Sequence, residues 1–337
     1  MLGTLRLLAT LPMMTLSSED HAPYANPVIH HNGSQGVTLP PGTALAIGNF
    51  DGVHLGHQAV IARARLMAER LPGEHQVAVL TFDPHPAKLL APELAPALLS
   101  TPTRRAELLG KSGASQVILE PFDEALASLT ARDFVEEILV GRLRAAGVVV
   151  GYDFTFGRDR TGNVEMLRDE GEERGFQVAV VPPFFQDGML VSSTKIREFI
   201  LAGRVMGASI LLGRPFELSG KVMRGAGRGR TIGFPTANLA YEQEILPAFG
   251  VYAARARLGV QSFGAAVSIG IVPTFKQDRE VTVEAYLLDF SSDLYAEPLT
   301  LELVKRIRPE RRFETVASLV QQIGLDVEQV RDILLTL

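Results

Sequence analysis

From Thr43 to about Gly207, short apolar runs alternate with stretches of helical period. The runs ALAIGNF, VAVLTFD, SQVILE, GVVVGYDF and FQVAVV are rich in Val and Ile and mostly unbroken. Strands covered on both faces read this way, because neither face needs polar residues. Between them, Gln58–Arg70, Arg132–Ala145 and Val164–Arg174 carry apolar residues at helical spacing. Strand–helix alternation predicts a doubly wound, mostly parallel α/β sheet. Ligands bind such sheets beyond the carboxyl ends of the strands, at a switch in strand order. The segment Asn49–His57 follows the first run and falls at that place.

Beyond Arg214 the period changes. FELSGKVM, GVYAARARL, SFGAAVSIG, VTVEAYLLDF and LTLELVKRI alternate or are β-branched, and Gly, Pro and Asp turns separate them. Helical spacing returns only after Thr315, in ETVASLVQQI and VEQVRDILLTL. Many strands at short spacing predict a small antiparallel barrel closed by a C-terminal helix. Ser193–Leu212 reads as a helical connection. The expected division is an extension without ordered structure over residues 1–36, an α/β domain over 37–207 and a barrel domain over 208–337.

Composition narrows the function classes. The chain has 337 residues, 46% hydrophobic and 21% charged, enough for two cores. Its 33 basic and 38 acidic residues leave a formal charge of −5, which argues against a broad nucleic-acid surface. It has no cysteine, so disulfides, thiolate zinc sites and cysteine nucleophiles are excluded. The opening MLGTLRLLATLPMMTLSS faintly imitates a secretion signal, but Pro12 interrupts its apolar run and no small-x-small cleavage site follows closely. Nothing else resembles a membrane span. A cytoplasmic enzyme is the expectation.

The chemistry concentrates at strand ends. In GNFDGVHLGH, His54 and His57 stand at i, i+3 in the first turn of a helix, on one face with its free N–H groups. Gly52 and Gly56 clear the approach of a phosphate, and imidazoles there would donate to phosphate oxygens as charge builds. A metal site is the rival, but no HExxH-type partner set accompanies the pair. A pair of core or capping histidines is the plain alternative. TFDPHP brings Asp83 and His85 to the same rim. GYDFTFGRDRTG offers Asp153 with Phe154 and Phe156, which would flank a planar ring or simply pack. SSTKIREFI sets Ser192, Ser193 and Thr194 before Lys195 and Arg197, a polyphosphate site or an ordinary helix cap. Together the four clusters imply one nucleotide pocket. The P-loop match fails, since RRAELLGKS has Arg105 where the first glycine belongs, and no GxGxxG follows the first strand.

In the second half, SGKVMRGAGRGRTIGFPTANL interleaves Gly225, Gly227, Gly229 and Gly233 with Arg224, Arg228 and Arg230. Such a loop either turns its N–H groups to an anion or is a surface turn. Thr236 and Asn238 are neutral oxygen donors suited to Mg²⁺ and phosphate, and on a strand they share one face. Glu284, in the middle of an apolar strand, is the candidate base for a hydroxyl, with Asp289 as the alternative.

GNFDGVHLGH, TFDPHP, GYDFTFG and SSTKIR, followed by LLGRPFELSGKV, FPTAN, GVYA, SIGIVPTF, VEAYLLDF and DLYAEPL, resemble the prokaryotic bifunctional riboflavin kinase/FMN adenylyltransferase (FAD synthetase) family. The resemblance spans about Thr43 to Ile333. It implies a Rossmann-like nucleotidyltransferase domain followed by a six-stranded Greek-key barrel, with ATP, riboflavin and FMN as substrates and Mg²⁺ as cofactor. His54 and His57 would stabilise attack of FMN on the α-phosphorus of ATP. Gly48, Asn49, Phe50, Gly56, Ser192, Ser193, Thr194 and Arg197 would hold that ATP. Asp83, His85, Asp153, Phe154 and Phe156 would face the flavin. In the barrel, Gly225, Gly229, Arg230, Gly233, Thr236 and Asn238 would hold MgATP, Thr236 and Asn238 on the metal, and Glu284 would be the base for the ribityl 5′-hydroxyl. Two departures stand out: Ala296 where a glycine is usual, and Tyr286 where histidine is frequent. The expected partners are small molecules, with no nucleic acid and no membrane, and a weak homo-oligomer is left open. The alternatives are a flavin-binding regulator without turnover and an adenylyltransferase for another substrate with an accessory barrel.

Overall fold

The computed structural model describes residues 28–225, 227–272 and 280–336. In chain order the first half comprises β1 (Ile29–Asn32), β2 (Ala44–Ile47), α1 (Leu55–Ala68), β3 (Val77–Asp83), α2 (Pro86–Leu90), α3 (Pro102–Lys111) and β4 (Gln116–Pro121). There follow α4 (Glu124–Ser128), α5 (Ala131–Asp133) with its π-helical continuation Phe134–Arg142, β5 (Gly147–Gly151), α6 (Val164–Arg174) and β6 (Gln177–Val181). A small hairpin, β7 (Phe185–Gln186) and β8 (Met189–Leu190), leads to α7 (Ser193–Leu201) and α8 (Val205–Leu212). The second half holds β9 (Phe216–Met223), the short α9 (Arg228–Thr231), β10 (Ala237–Tyr241), β11 (Gly250–Leu258), β12 (Gln261–Val272), β13 (Glu280–Leu287), β14 (Pro298–Pro309) and α10 (Val316–Leu335).

The first sheet has the order β1-β4-β3-β2-β5-β6 with parallel pairings throughout. All five apolar runs are strands of it. β2 and the core of β3 are buried on both sides, which is why they do not alternate. Strand order reverses between β2 and its neighbours β3 and β5, so the loop leaving β2 opens at the switch point. Residues 29–32 depart from the expected extension: they pair with Gln116–Leu119 of β4 as an edge strand. Residues 1–27 of that extension lie outside the described residues.

The second half is a closed barrel of order β10-β13-β12-β11-β14-β9, antiparallel at every pairing. Alternation decides which side chains fill it. On β13, Val283, Ala285 and Leu287 are buried, whereas Glu284 and Tyr286 between them are only half-buried. The two helical segments expected after Thr315 form one helix, α10, capped by Thr315, whose hydroxyl accepts the Ser318 N–H. Its buried Asp326 receives the Arg308 guanidinium from β14 at 2.7 Å.

The helical connection belongs with the barrel by packing. Ile196 and Ile200 of α7 and Val205, Ala208, Leu211 and Leu212 of α8 share one buried cluster with Phe216, Leu218, Leu239, Leu301 and Leu303. Each fully buried Val, Leu, Ile or Phe among them contributes about 1.5–3 kcal/mol. Residue 208, the first of the expected second domain, lies inside α8. Two ion pairs also join the halves: Arg104 of α3 with Glu217 of β9 at 2.8 Å, and Lys88 of α2 with Glu244.

Candidate active sites

The loop from β2 to α1 is folded tightly. Phe50, Gly52 and Val53 have φ of 49°, 78° and 43°, a left-handed course that β-branched Val53 adopts only under external hold. The hold is a buried polar network. The Asp51 carboxylate accepts the N–H groups of Leu99 and Ser100, at 3.0 and 3.2 Å, and the Arg197 guanidinium at 2.5 Å. Ser193 donates its hydroxyl to the Asp51 carbonyl, and Arg105 and Thr81 both donate to the Asn49 carbonyl.

This places His54 as the N-cap of α1, its Nδ1 accepting the His57 N–H at 3.2 Å. A neutral His54 therefore carries its proton on Nε2. The His54 and His57 rings stack with centroids 3.5 Å apart, and His57 packs edge-on against Phe50. Burial, with Arg214 and Arg197 nearby, pulls the His54 imidazole down to about 3. Burial, His54 and then Arg105 hold His57 well below the ordinary histidine range. Both rings are neutral N–H donors at pH 7. Among the described residues no cluster of three or more His, Cys, Asp or Glu could hold a metal, so the pair lacks a ligand set.

A cleft of about 980 Å³ opens in front of the histidines. Gly48, Asn49, Phe50, Gly56, His85, Asp153, Phe154, Phe156, Ser192, Ser193, Thr194 and Arg197 all line it, so four clusters far apart in sequence share one wall. Asp83 does not line it; it is half-exposed, 3.9 Å from the Arg105 guanidinium. His85 caps α2 by accepting the Ala87 N–H. Phe154 and Phe156 stack on each other at 5.5 Å, with Phe156 buried against Phe134. They are in direct contact and leave no slot between them, so Phe156 packs while Phe154 and Tyr152 remain at the surface of the cleft. Arg197 points inward to Asp51 and to the Ala97 carbonyl at 2.8 Å, while Thr194 is exposed.

The sequence reading missed Asp51, Arg105 and Arg214 as site-building groups. For Arg105 a signal existed: it falls on the buried stripe of α3 with Ala106, Leu108 and Leu109, where a guanidinium needs carbonyl partners. It finds them in Asn49 and Phe82.

The barrel carries a second cluster outside that cleft. Asn238 of β10 lies in register with Glu284 of β13, and the Thr236 hydroxyl donates to the Glu284 carboxylate at 3.4 Å. All three lie on the outer face, away from the barrel's packed interior, so Glu284 stands at a half-open surface and carries no burial cost comparable to a core charge. The glycine loop covers this face at close range. A Cβ at Gly225 would sit 2.1 Å from the Asn238 amide nitrogen, and one at Gly229 would sit 2.3 Å from the Phe234 carbonyl oxygen. Arg230 and Gly233 are exposed at its edge. Phe234 meets Tyr286 edge-to-face at 5.4 Å, pinning the segment before Thr236. Asp289, the alternative base, is paired with Arg331 of α10 at 2.6 Å, which holds its carboxyl below the usual range. Ala226 and the Pro273–Phe275 end of SIGIVPTF lie outside the described residues.

Comparison with known proteins follows the same division. Residues 37–195 match the family model described as FAD synthetase, and residues 212–334 match that of riboflavin kinase. The bifunctional riboflavin kinase/FMN adenylyltransferase of Pseudomonas fluorescens is 39% identical over 290 residues, covering 86% of this chain and 92% of that protein. The protein of the same description from Escherichia coli (strain K12) is 38% identical over 303 residues, covering 90% and 95%. That from Bacillus subtilis (strain 168) is 35% identical, covering 85% and 91%. A crystal structure described as a macrolide-efflux protein from Streptococcus pneumoniae superposes with a TM-score of 0.80 at 32% identity, covering 90% of this chain and 98% of that one. Among the described residues, no helix is long and apolar enough to cross a membrane.

Proposed function

The chain belongs to the bifunctional riboflavin kinase/FMN adenylyltransferase family, and from that premise we propose how its residues divide between two reactions. The enzyme phosphorylates riboflavin with ATP to FMN, then adenylylates FMN with ATP to FAD and pyrophosphate. One step is attack on the γ-phosphorus and the other on the α-phosphorus, geometries that a single rigid site would not align. The observation carrying the division is the separation of the histidine cleft from the Thr236–Asn238–Glu284 face.

In the cleft, an FMN phosphate oxygen attacks the α-phosphorus and the bond to pyrophosphate breaks. Neutral His54 and His57 donate hydrogen bonds to oxygens whose charge grows in the transition state. Gly48, Asn49, Phe50 and Gly56 border the nucleotide, with Ser192, Ser193 and Thr194 at the start of α7 toward its phosphates. Arg197 acts through Asp51, holding the turn. His85, Asp153 and Phe154 face the flavin; Phe156 supports Phe154 from the core, and Asp83 serves at a distance by partnering Arg105. No covalent enzyme intermediate is needed.

On the barrel, the Glu284 carboxylate takes the proton of the ribityl 5′-hydroxyl as its oxygen attacks the γ-phosphorus, and ADP leaves. Gly225, Gly229, Arg230 and Gly233 form the phosphate loop. Thr236 and Asn238 present hard, neutral oxygens beside a carboxylate, a donor set that suits Mg²⁺ shared with phosphates. Bound there, Mg²⁺ would neutralise phosphate charge. Domain division near residues 195–212 and residence in the cytoplasm complete the proposal, with weak self-association left open. The catalytic descriptions of the relatives favour turnover over a flavin-sensing regulator.

The test is chromatography of FMN and FAD after incubation with riboflavin and ATP, with and without Mg²⁺. Both products should form in sequence and only with the metal. Failure of both under oxidising and reducing conditions would contradict the proposal.

A further inference from the structure

Arg214, between α8 and β9, turns away from the barrel and into the histidine turn. Its Nη2 donates to the Gly52 carbonyl at 2.7 Å and its Nη1 to the Val53 carbonyl at 3.2 Å. Gln58 of α1 ties the same region together, donating to the carbonyls of Val53 and Leu212 at 3.1 Å each. The peptide groups so held are those with left-handed backbone, Gly52 at φ 78° and Val53 at φ 43°. For a β-branched residue that conformation costs about 1–2 kcal/mol and persists only where surrounding contacts impose it. His54 follows directly, and its cap on α1 depends on where the turn leaves it. Burial lowers the Arg214 guanidinium to about 10, so it stays a cation at neutral pH and its bonds to the two carbonyls are charge-assisted.

We propose that Arg214 is a positioning residue for adenylyl transfer, supplied by the riboflavin kinase segment to hold the Gly52–Val53 turn and thereby both histidines. This rests on the reading of His54 and His57 as transition-state donors. It makes the FAD-forming site incomplete without residues that the second family model contains, whereas the kinase face has no such dependence on the turn. The segment therefore contributes to both reactions: Glu284 by contact with substrate, Arg214 by acting through the backbone of the other half. A planar fork suits this task because it reaches two carbonyls at once; a lysine keeps the charge but not the fork.

The experiment uses the full chain with Arg214→Met and Arg214→Lys. FMN formation from riboflavin, FAD formation from supplied FMN, and the thermal midpoint are measured for each. Arg214→Met should lower kcat for FAD formation by about 10–10²-fold, the scale of a misplaced reacting group. KM for ATP should change little and FMN formation should proceed at the wild-type rate. Arg214→Lys should recover part of the lost kcat. Wild-type FAD formation in Arg214→Met overturns the proposal. So does parallel loss of both activities with a lowered midpoint and no recovery by lysine, which would make Arg214 merely structural. His57→Ala measured alongside separates the two levels. Full FAD formation in that variant removes the premise itself, while an inactive His57→Ala beside a fully active Arg214→Met overturns the role of Arg214 alone.

Discussion

The two sites are built in opposite ways. In the cleft, Asp51 is 2% and His54 6% exposed, and the loop that carries them is bonded at Asn49 from α3, at Asp51 from α7 and at Gly52 from the segment before β9. On the barrel, Glu284, Thr236 and Asn238 are half-exposed, Thr236 meeting Glu284 at 3.4 Å and Asn238 standing in register beside it, and a glycine loop lies over them. The first site is organised by its own protein partners, so its donors are oriented and neutral beforehand. The second offers a carboxylate and an amide on paired strands, with the Thr236 hydroxyl just before them, on a half-open face. Preorganised donors suit a step in which charge grows on phosphate oxygens. A solvent-reachable carboxylate suits one in which a hydroxyl proton must be accepted.

The comparison is broken most easily at Glu284. Glu284→Gln preserves shape but removes the proton acceptor, and FMN formation should fall by about 10²–10⁴-fold. Supplied FMN should still become FAD, and riboflavin and ATP should bind with little change in a titration. Full kinase activity would remove Glu284 from the mechanism; Asp289 is already committed to Arg331.

A second test sharpens the contrast in burial. His54 titrates near 3 when folded and near 6.5 when unfolded, because burial disfavours the imidazolium. Between those values the unfolded chain binds a proton that the folded chain does not, so stability rises with pH there. The contribution is complete above about pH 6.5 and is lost progressively as pH falls toward 3. The thermal midpoint should therefore drop on acidification from pH 7 to pH 4.5, and His54→Gln should drop less steeply. Each kcal/mol released corresponds to roughly 2–4 °C. Parallel slopes for variant and wild type would mean that His54 is not held neutral by the fold.

The smallest expected effect lies on the barrel. Ala296 has φ 66°, a conformation that favours glycine, and its N–H donates to the Val222 carbonyl at 2.9 Å. Ala296→Gly relieves a conformational cost of about 1–2 kcal/mol but loosens the unfolded chain, so a net gain below about 1 kcal/mol should appear in chemical denaturation. A loss of stability would show that the turn does not strain Ala296.

Periodicity reveals what repeats and stays silent on what does not. FELSGKVM and GVYAARARL coincide with β9 and β11 residue for residue: β9 alternates along its whole length, while β11 is β-rich but has its first five residues all buried. The parallel strands were legible as unbroken apolar runs. IHHN was not: β1 has no apolar pattern and exists through its pairing with β4. The packing of α7 and α8 onto the barrel was also hidden, since an apolar helix face does not name its partner. At the sites, His54, His57, Thr236, Asn238 and Glu284 stood out as unusual residues beside strands. The Asp51–Arg197 pair spans 146 residues, and its members look like ordinary turn and helix charges until the fold joins them. Glu284 was legible for a partly mistaken reason, because alternation sends it to the outer face of its strand.

The separation of the two chemistries is tested most directly at His57. The measurement is incubation of full-length His57→Ala with riboflavin and MgATP, with FMN and FAD followed by chromatography. FMN should accumulate at the wild-type rate while FAD formation falls by about 10²–10³-fold, the usual loss for one transition-state donor. Equal loss of FMN and FAD formation, or undiminished FAD, would contradict the assignment of adenylyl transfer to the histidine cleft.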